Sequence, residues 1–153
     1  MVRVRRAADG EGWELLHPKC AVERSDDVQE VQAMFEAGEF EVARDELRWL
    51  LGGCSDFIDA HRLLGEIALV DGDLPLARGH FGNAYQLAVQ AIDRAGASPR
   101  QFPYRLAPNR SFLESAKGLI HCLKQLDRDE LAREIVKRAL HCDPSDPLGL
   151  RGL

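Results

Sequence analysis

The sequence lacks any long apolar run, and it lacks the short motifs of several common enzyme families. No stretch approaches the ~20 consecutive apolar residues that a membrane-spanning helix needs. The patterns GxSxG, GxxxxGK followed by Ser or Thr, and HExxH do not occur. These absences favour a protein that is not an enzyme, carries no cofactor and does not bind a membrane.

A basic excess is also missing. The chain of 153 residues has a formal net charge of −5, whereas nucleic-acid binding needs a basic face. We therefore expect no nucleic-acid partner. The charge is uneven, since nine acids lie between Glu23 and Glu46, and Arg94 to Arg110 contains four arginines and no acid. An acidic region and a basic region are thus predicted on one small domain.

The cysteines lack the spacing of a disulfide framework or a CxxC pair. They lie 34, 68 and 20 residues apart, at Cys20, Cys54, Cys122 and Cys142. The arginines near the start of the chain are not followed by an apolar stretch, so we expect no secretory signal. A cytoplasmic location follows from this interpretation, and there the four cysteines should be mostly reduced thiols.

A repeated pattern is the strongest positive signal. Gly38, Glu39, Phe40 and Ala43 recur as Gly72, Asp73, Leu74 and Ala77, which is an offset of 34 residues. A fixed period of this length is typical of stacked helical pairs. Stacked pairs usually hold a partner, so the period favours a binding surface over an active site.

Apolar spacing, turn glycines and prolines predict six helices in three units. The units are residues 24–56, 57–95 and 111–144. An irregular insert is predicted over 96–110, where three prolines fall within ten residues, and an irregular arm over 1–22. The predicted helices cover about 25–37, 41–51, 57–70, 74–95, 111–126 and 130–141.

The units resemble tetratricopeptide repeats, a family that alternates an A and a B helix over 34 residues. The matching residues in unit two are Leu64, Gly65, Ala68, Gly72, Ala77, Phe81 and Ala84. Unit one retains Gly38, Phe40, Ala43, Leu47 and Leu50, with Val31 in the place of Gly65. Unit three retains Leu119, Leu123, Ala132, Val136, Ala139, Asp143 and Pro144, after about 21 extra residues.

This resemblance implies an all-α fold, a right-handed α-α superhelix of about three stacked antiparallel helix pairs. In such stacks the A helices line a concave groove that binds a peptide or protein segment. The implied groove residues are Gln32, Phe35 and Glu36 in unit one, Asp59, Arg62, Glu66 and Leu69 in unit two, and Lys117, His121 and Lys124 in unit three. Their charge runs from acidic to basic, which would orient a charged peptide.

The insert is a second candidate binding surface, because aromatic and arginine side chains are common anchors at interfaces. Its candidate residues are Tyr104, Arg105, Asn109 and Arg110. The last B helix is followed only by a short Gly-containing tail, so an apolar flank is predicted to favour self-association into a homo-oligomer.

Two alternatives remain open. His17, Cys20, Cys54 and His61 could provide ligands in a small metal-binding or redox module, although their spacing matches no known zinc finger. The arginines of the insert could hold a phosphate or carboxylate in an anion-responsive regulator, although no Gly-rich phosphate loop accompanies them.

Overall fold

The computed structural model describes residues 1–97 and 100–153, so Ser98 and Pro99 of the predicted insert lie outside the described residues. The described chain is mostly helical, with a small two-stranded sheet at its start. Its strands are β1 (Arg3–Arg6) and β2 (Trp13–Leu16). Its α-helices are α1 (Lys19–Glu23), α2 (Ser25–Glu36), α3 (Phe40–Gly53), α4 (Ile58–Val70), α5 (Leu74–Arg94), α6 (Arg110–Gln125) and α7 (Asp129–Cys142). Short 3-10 helices occupy Ala107–Asn109 and Leu150–Gly152.

The six predicted helices correspond to α2 to α7, with ends displaced by a few residues at most. The turn between the helices of each pair is the same in all three units. Gly38, Gly72 and Asp127 have φ values of 79°, 75° and 59°, in the left-handed region. In each case the N–H of this residue donates to the carbonyl oxygen of the residue three positions earlier. The N–H of the next residue donates to the carbonyl oxygen five positions before it. That bonding satisfies the last carbonyl groups of the preceding helix. The left-handed φ explains why glycine recurs after one period.

Consecutive helices pack together along the chain. Each helix from α2 to α6 contacts the next one, and α2 and α6 also contact α4. The first helices of neighbouring units therefore touch each other, and each also touches the second helix of its own unit. Two buried apolar clusters fill the spaces between them, one centred on α2, α3 and α4 and the other on α5, α6 and α7.

The ring of Phe81 on α5 fills the junction between two other helices. It is fully buried. A Cβ atom built on Gly65 of α4 would lie 2.8 Å from this ring, and one built on Gly118 of α6 would lie 2.5 Å from it. Both distances are shorter than any normal carbon contact, so neither position has room for a side chain. Two glycines thus let α4 and α6 both approach the Cδ1 and Cε1 atoms of one aromatic ring.

The expectation of an irregular arm over residues 1–22 is wrong. Residues 3–6 and 13–16 form an antiparallel hairpin in which Arg3 pairs with Leu16 and Arg6 with Trp13. The hairpin contacts α5 and the 3-10 helix at 107–109, instead of covering α2. Val2 and Leu15 enter the second apolar cluster. Packing against those distant elements, and not the local sequence, accounts for the strands.

The tail after α7 covers part of the last helix. Leu150 is buried, and Leu148 and Leu153 pack against the same cluster. The Asp146 carboxylate accepts hydrogen bonds from the N–H groups of Leu150 and Arg151, which holds the tail in place. Leu131 remains exposed on α7. The apolar flank predicted to favour self-association is therefore smaller than the sequence suggests.

The expectation that all four cysteines are reduced thiols is wrong for two of them. Cys20 and Cys54 form a disulfide with their Cα atoms 5.7 Å apart, and it links the start of α1 to the end of α3. Cys122 and Cys142 are buried free thiols, and burial raises the pKa of each to about 11. These two thiols are therefore poor nucleophiles.

A first prediction concerns the contact of Phe81 with the two glycines. We expect Gly118→Ala to destabilise the fold by about 1–3 kcal/mol, because the buried ring has no space to move away from an added methyl group. Chemical denaturation measures this change in the free energy of unfolding.

The matched control is Gly79→Ala on the exposed face of α5, where an added Cβ meets no atom within 4 Å. Alanine there should stabilise the helix by about 0.5–1 kcal/mol. Equal effects of the two substitutions would contradict the packing described for Phe81.

Candidate functional site

A groove of about 1020 Å³ runs between the start of the first unit and the segment that precedes α6. Its floor is formed by the N-terminal part of α4. One wall is formed by α1 and α2, and the other by Tyr104, the 3-10 helix at 107–109 and the first turns of α6. The lining residues include Ala21, Val22, Ser25, Val28, Gln29, Gln32, Glu36, Phe57, Asp59, Arg62, Tyr104, Ala107, Pro108, Arg110, Ser111 and Glu114.

Apolar and polar side chains alternate along the first wall. Val22 is 62% exposed, which is unusual for a valine and leaves its methyl groups open to the groove. Val28 and Phe57 lie deeper and are buried. Gln29 and Gln32 are exposed on α2 and offer both donors and acceptors. This wall can therefore contact apolar side chains and also bond to a peptide backbone.

The floor carries an ion pair on one face of α4. Arg62 Nε donates to Asp59 Oδ1 at 2.7 Å, and only 15% of the Arg62 side chain is exposed. Arg62 makes this hydrogen bond through Nε. Among the described residues, its two Nη groups have no hydrogen-bond acceptor. Asp59 therefore fixes the guanidinium while leaving donors available to a ligand on the groove floor.

The second wall is organised around Tyr104. Its hydroxyl donates to Glu114 Oε1 at 2.8 Å, and this bond raises the pKa of the Tyr104 phenol. Arg110 lies over the aromatic ring, with its guanidinium carbon 5.5 Å from the ring centroid. Arg110 also donates to the carbonyl oxygens of Tyr104 and Arg105. The wall thus presents an aromatic ring with a cation over one face and a carboxylate bonded to its hydroxyl.

A charged cluster continues from the groove along the first helices of units two and three. Burial raises the pKa of the Glu66 carboxyl on α4, and the negative Glu114 carboxylate adds to this. Nearby positive charges lower the pKa of Glu66 and so oppose this shift; they belong to Arg62, Lys117 and His121. Residues of α4 and α6 predicted to share one face are therefore within electrostatic reach of one another.

Six of the fourteen predicted site residues line the groove. They are Gln32, Glu36, Asp59, Arg62, Tyr104 and Arg110. Glu66, Lys117 and His121 belong to the adjacent charged cluster. Lys124 is half-buried further along α6 and does not line this groove.

Four predicted site residues have other roles. Asn109 is fully buried, where it accepts from the Leu15 N–H at 2.9 Å and donates to the carbonyls of Trp13 and Pro103. Arg105 pairs with Asp9 at 2.6 Å beside the hairpin. The remaining two pack in the apolar clusters, where Phe35 contacts Phe40 and Leu69 lies against the second cluster. Asn109 in particular is not accessible to a partner.

Several residues that line the groove were not predicted from the sequence. Glu114 precedes Lys117 by three residues and His121 by seven, so helical spacing alone places it on their face. Val22 and His17 carried no such signal, because their positions depend on the hairpin and α1. His17 Nε2 is held 2.8 Å from the Pro108 carbonyl oxygen, which ties the two walls together at one end of the groove.

The residues of the metal alternative are engaged in other bonds. Cys20 and Cys54 are bonded to each other, so neither offers a thiolate. His61 Nε2 lies 2.9 Å from the Ser55 carbonyl oxygen. Across residues 1–97 and 100–153, no group of three or more His, Cys, Asp or Glu side chains could hold a metal ion.

The insert arginines do not converge on one point. Arg94 donates to the Val2 carbonyl, Arg100 lies over the Trp13 ring, and Arg105 pairs with Asp9. Arg110 belongs to the groove wall. The first three arginines fasten the insert and α5 to the hairpin region, and this arrangement does not favour an anion site.

No protein-family model matches the sequence, and no curated protein matches it. In the part of the chain that the structure describes, no helix is both long and apolar enough to cross a membrane.

A second prediction concerns Asn109. We expect Asn109→Ala to cost about 1–3 kcal/mol of stability, because the Leu15 N–H and the Trp13 carbonyl would stay buried without a partner. The matched control is Arg105→Ala, which removes a half-exposed, solvent-screened ion pair to the same hairpin and should reduce stability less than Asn109→Ala does. Chemical denaturation compares the two variants, and a larger loss for Arg105→Ala would contradict the role assigned to Asn109.

A third prediction concerns the pH dependence that Glu66 confers. The pKa of Glu66 is higher in the folded than in the unfolded chain, so the folded state binds more protons between these two values. Stability must then fall as pH rises through that range, starting from the unfolded pKa near 4.5. Glu66→Gln removes this loss, because its amide stays neutral.

We expect the melting temperature of Glu66→Gln to match the wild type near pH 4 and to exceed it at pH 7. Glu30→Gln, at an exposed position of α2, reports the effect of removing a surface carboxylate. A melting-temperature difference for Glu66→Gln that does not grow with pH would count against the burial of a charged Glu66.

Proposed function

We propose that this protein is a non-enzymatic binding module that holds an extended segment of another protein in the groove. The observation that carries the proposal is the groove itself. It combines exposed apolar surface, hydrogen-bonding amides and fixed charges within about 1020 Å³. A few apolar anchors with a small number of placed polar groups are typical of peptide recognition on a rigid surface.

We further propose that the six long helices form three tetratricopeptide-like units in a right-handed superhelix. Two features support this interpretation. The same left-handed turn follows the first helix of each unit, at Gly38, Gly72 and Asp127. The first helices of neighbouring units are in contact, as α2 touches α4 and α4 touches α6. In this arrangement the groove is the concave side of the stack.

The charges suggest how a bound segment would be oriented. Acidic Glu36 lies on the α2 wall, whereas Arg62 and Arg110 lie on the floor and the opposite wall. Lys117 and His121 extend the positive region along α6. A segment with basic residues toward α2 and acidic residues toward α6 would therefore match the surface.

The related predictions remain proposals: a cytoplasmic location, no nucleic-acid or membrane partner, and self-association through the last unit. Exposed Leu131 favours the last of these. The disulfide weighs against a cytoplasmic location, since disulfides persist mainly in oxidising compartments.

A fourth prediction tests the groove. Peptides selected from a random library on the immobilised wild-type protein should bind about tenfold more weakly to Val22→Asp, because a charge would replace an apolar contact on the groove wall. Fluorescence anisotropy with labelled peptide measures the affinities, and circular dichroism checks that the variant is folded.

The matched control is Leu131→Asp, which places the same charge on an exposed aliphatic position of α7, outside the groove. It should leave affinity unchanged. Selected peptides that are insensitive to Val22→Asp but lost on Leu131→Asp would place the binding surface on the last unit and overturn the proposal.

A further inference from the structure

The disulfide encloses both helices of the first unit, α2 and α3, in a covalent ring. Cys20 and Cys54 are 34 residues apart, which is the repeat period, so they precede α2 and α4 at nearly equivalent places. Equivalent positions of stacked units lie side by side, and this brings the two sulfur atoms together. The bond thereby fixes the segment that enters the first unit against the segment that enters the second.

This bond holds α1 in its place as part of the groove wall. Helix α1 has five residues, which is far too short to be stable as an isolated helix. It carries Ala21 and Val22, which line the groove, directly after Cys20. The Arg24 guanidinium donates to the Cys20 carbonyl at 2.9 Å and lies where a Cβ on Gly53 would be 2.9 Å away. The contacts between the α1 segment and the end of α3 thus include the disulfide and the neighbouring Arg24 side chain.

The two sulfur atoms differ in their surroundings. Cys54 is 3% exposed, whereas Cys20 is only half-buried. An incoming thiol therefore has better access to Cys20, and accessible disulfides are the ones that exchange readily. The other two cysteines are buried, with high thiol pKa values, so exchange is directed to this single bond.

We propose that the Cys20–Cys54 disulfide is a redox latch, closed when it holds α1 against the end of α3 and opened by a monothiol such as glutathione. A glutathione thiolate attacks Cys20 Sγ, the Sγ–Sγ bond breaks, and Cys54 leaves as a thiolate that takes a proton. A second glutathione attacks the mixed disulfide and releases glutathione disulfide, and Cys20 takes a proton. Two electrons pass from two thiols to the protein.

Opening the latch frees the short helix that carries Val22, while α2 to α7 keep their own packing. The consequence for peptide binding rests on the proposed function, because only then does the loss of this wall weaken a complex. The movement of α1 itself does not depend on any partner, and it can be measured on the free protein.

The test is amide hydrogen exchange of the intact chain after equilibration with oxidised or reduced glutathione. The N–H groups of Ala21, Val22 and Arg24, which bond within residues 18–24, should exchange about tenfold faster in the reduced protein. Amides in the middle of α4, α5 and α6 should change by less than about twofold. Thiol titration of the denatured protein should give two thiols in the oxidised sample and four in the reduced one.

The control variant is Cys20→Ser, which cannot form the bond. Its Ala21, Val22 and Arg24 amides should exchange quickly in both buffers, because glutathione then has no disulfide to reduce. Three results would overturn the proposal: four thiols after oxidation, equal exchange of these amides in both redox states, or loss of protection throughout α4 to α6 on reduction. A failure of peptide binding alone would leave this test unaffected.

Discussion

The contact of the Phe81 ring with Gly65 and Gly118 is the constraint on which the arrangement of the central helices depends. Because neither glycine has a side chain, α4 and α6 can both reach the ring of α5. The first helices of units two and three are then close enough to touch, and Glu66 of α4 comes within electrostatic reach of Lys117 and His121 of α6. A methyl group at either glycine would push this face apart. One buried ring thus determines how closely the charged surface is assembled.

The groove is built on that centre with parts that lie outside the six long helices. Its floor belongs to α4, but its walls need α1 on one side and the segment from Tyr104 to Glu114 on the other. Asn109 anchors the second wall to the hairpin, and the disulfide anchors the first wall to α3. The extra residues of the insert and the N-terminal hairpin therefore act together, since each buries backbone polar groups that the other satisfies.

Local signals in the sequence predicted the helices well, and distant contacts explain what was missed. Turn glycines and apolar spacing placed α2 to α7, since these depend on neighbours in the chain. The hairpin was missed because its strands contain few β-branched residues, and its stability comes from Asn109 and α5, about 90 residues away. The residues that line the candidate groove were predicted in part. The resemblance named Asp59 and Arg62, and helical spacing could have added Glu114, but neither could reveal that Asn109 points inward. The separation of Cys20 and Cys54 by 34 residues was visible in the sequence, but the contact between α2 and α4 was not.

A crystal structure of the oxidised protein with a library-selected peptide would show whether the groove is the binding surface. We expect an extended peptide lying between Val22 and Tyr104, with contacts to Gln32 on one wall and to the Nη groups of Arg62 on the floor. A peptide bound to α3 or α5, with the groove empty, would contradict this expectation.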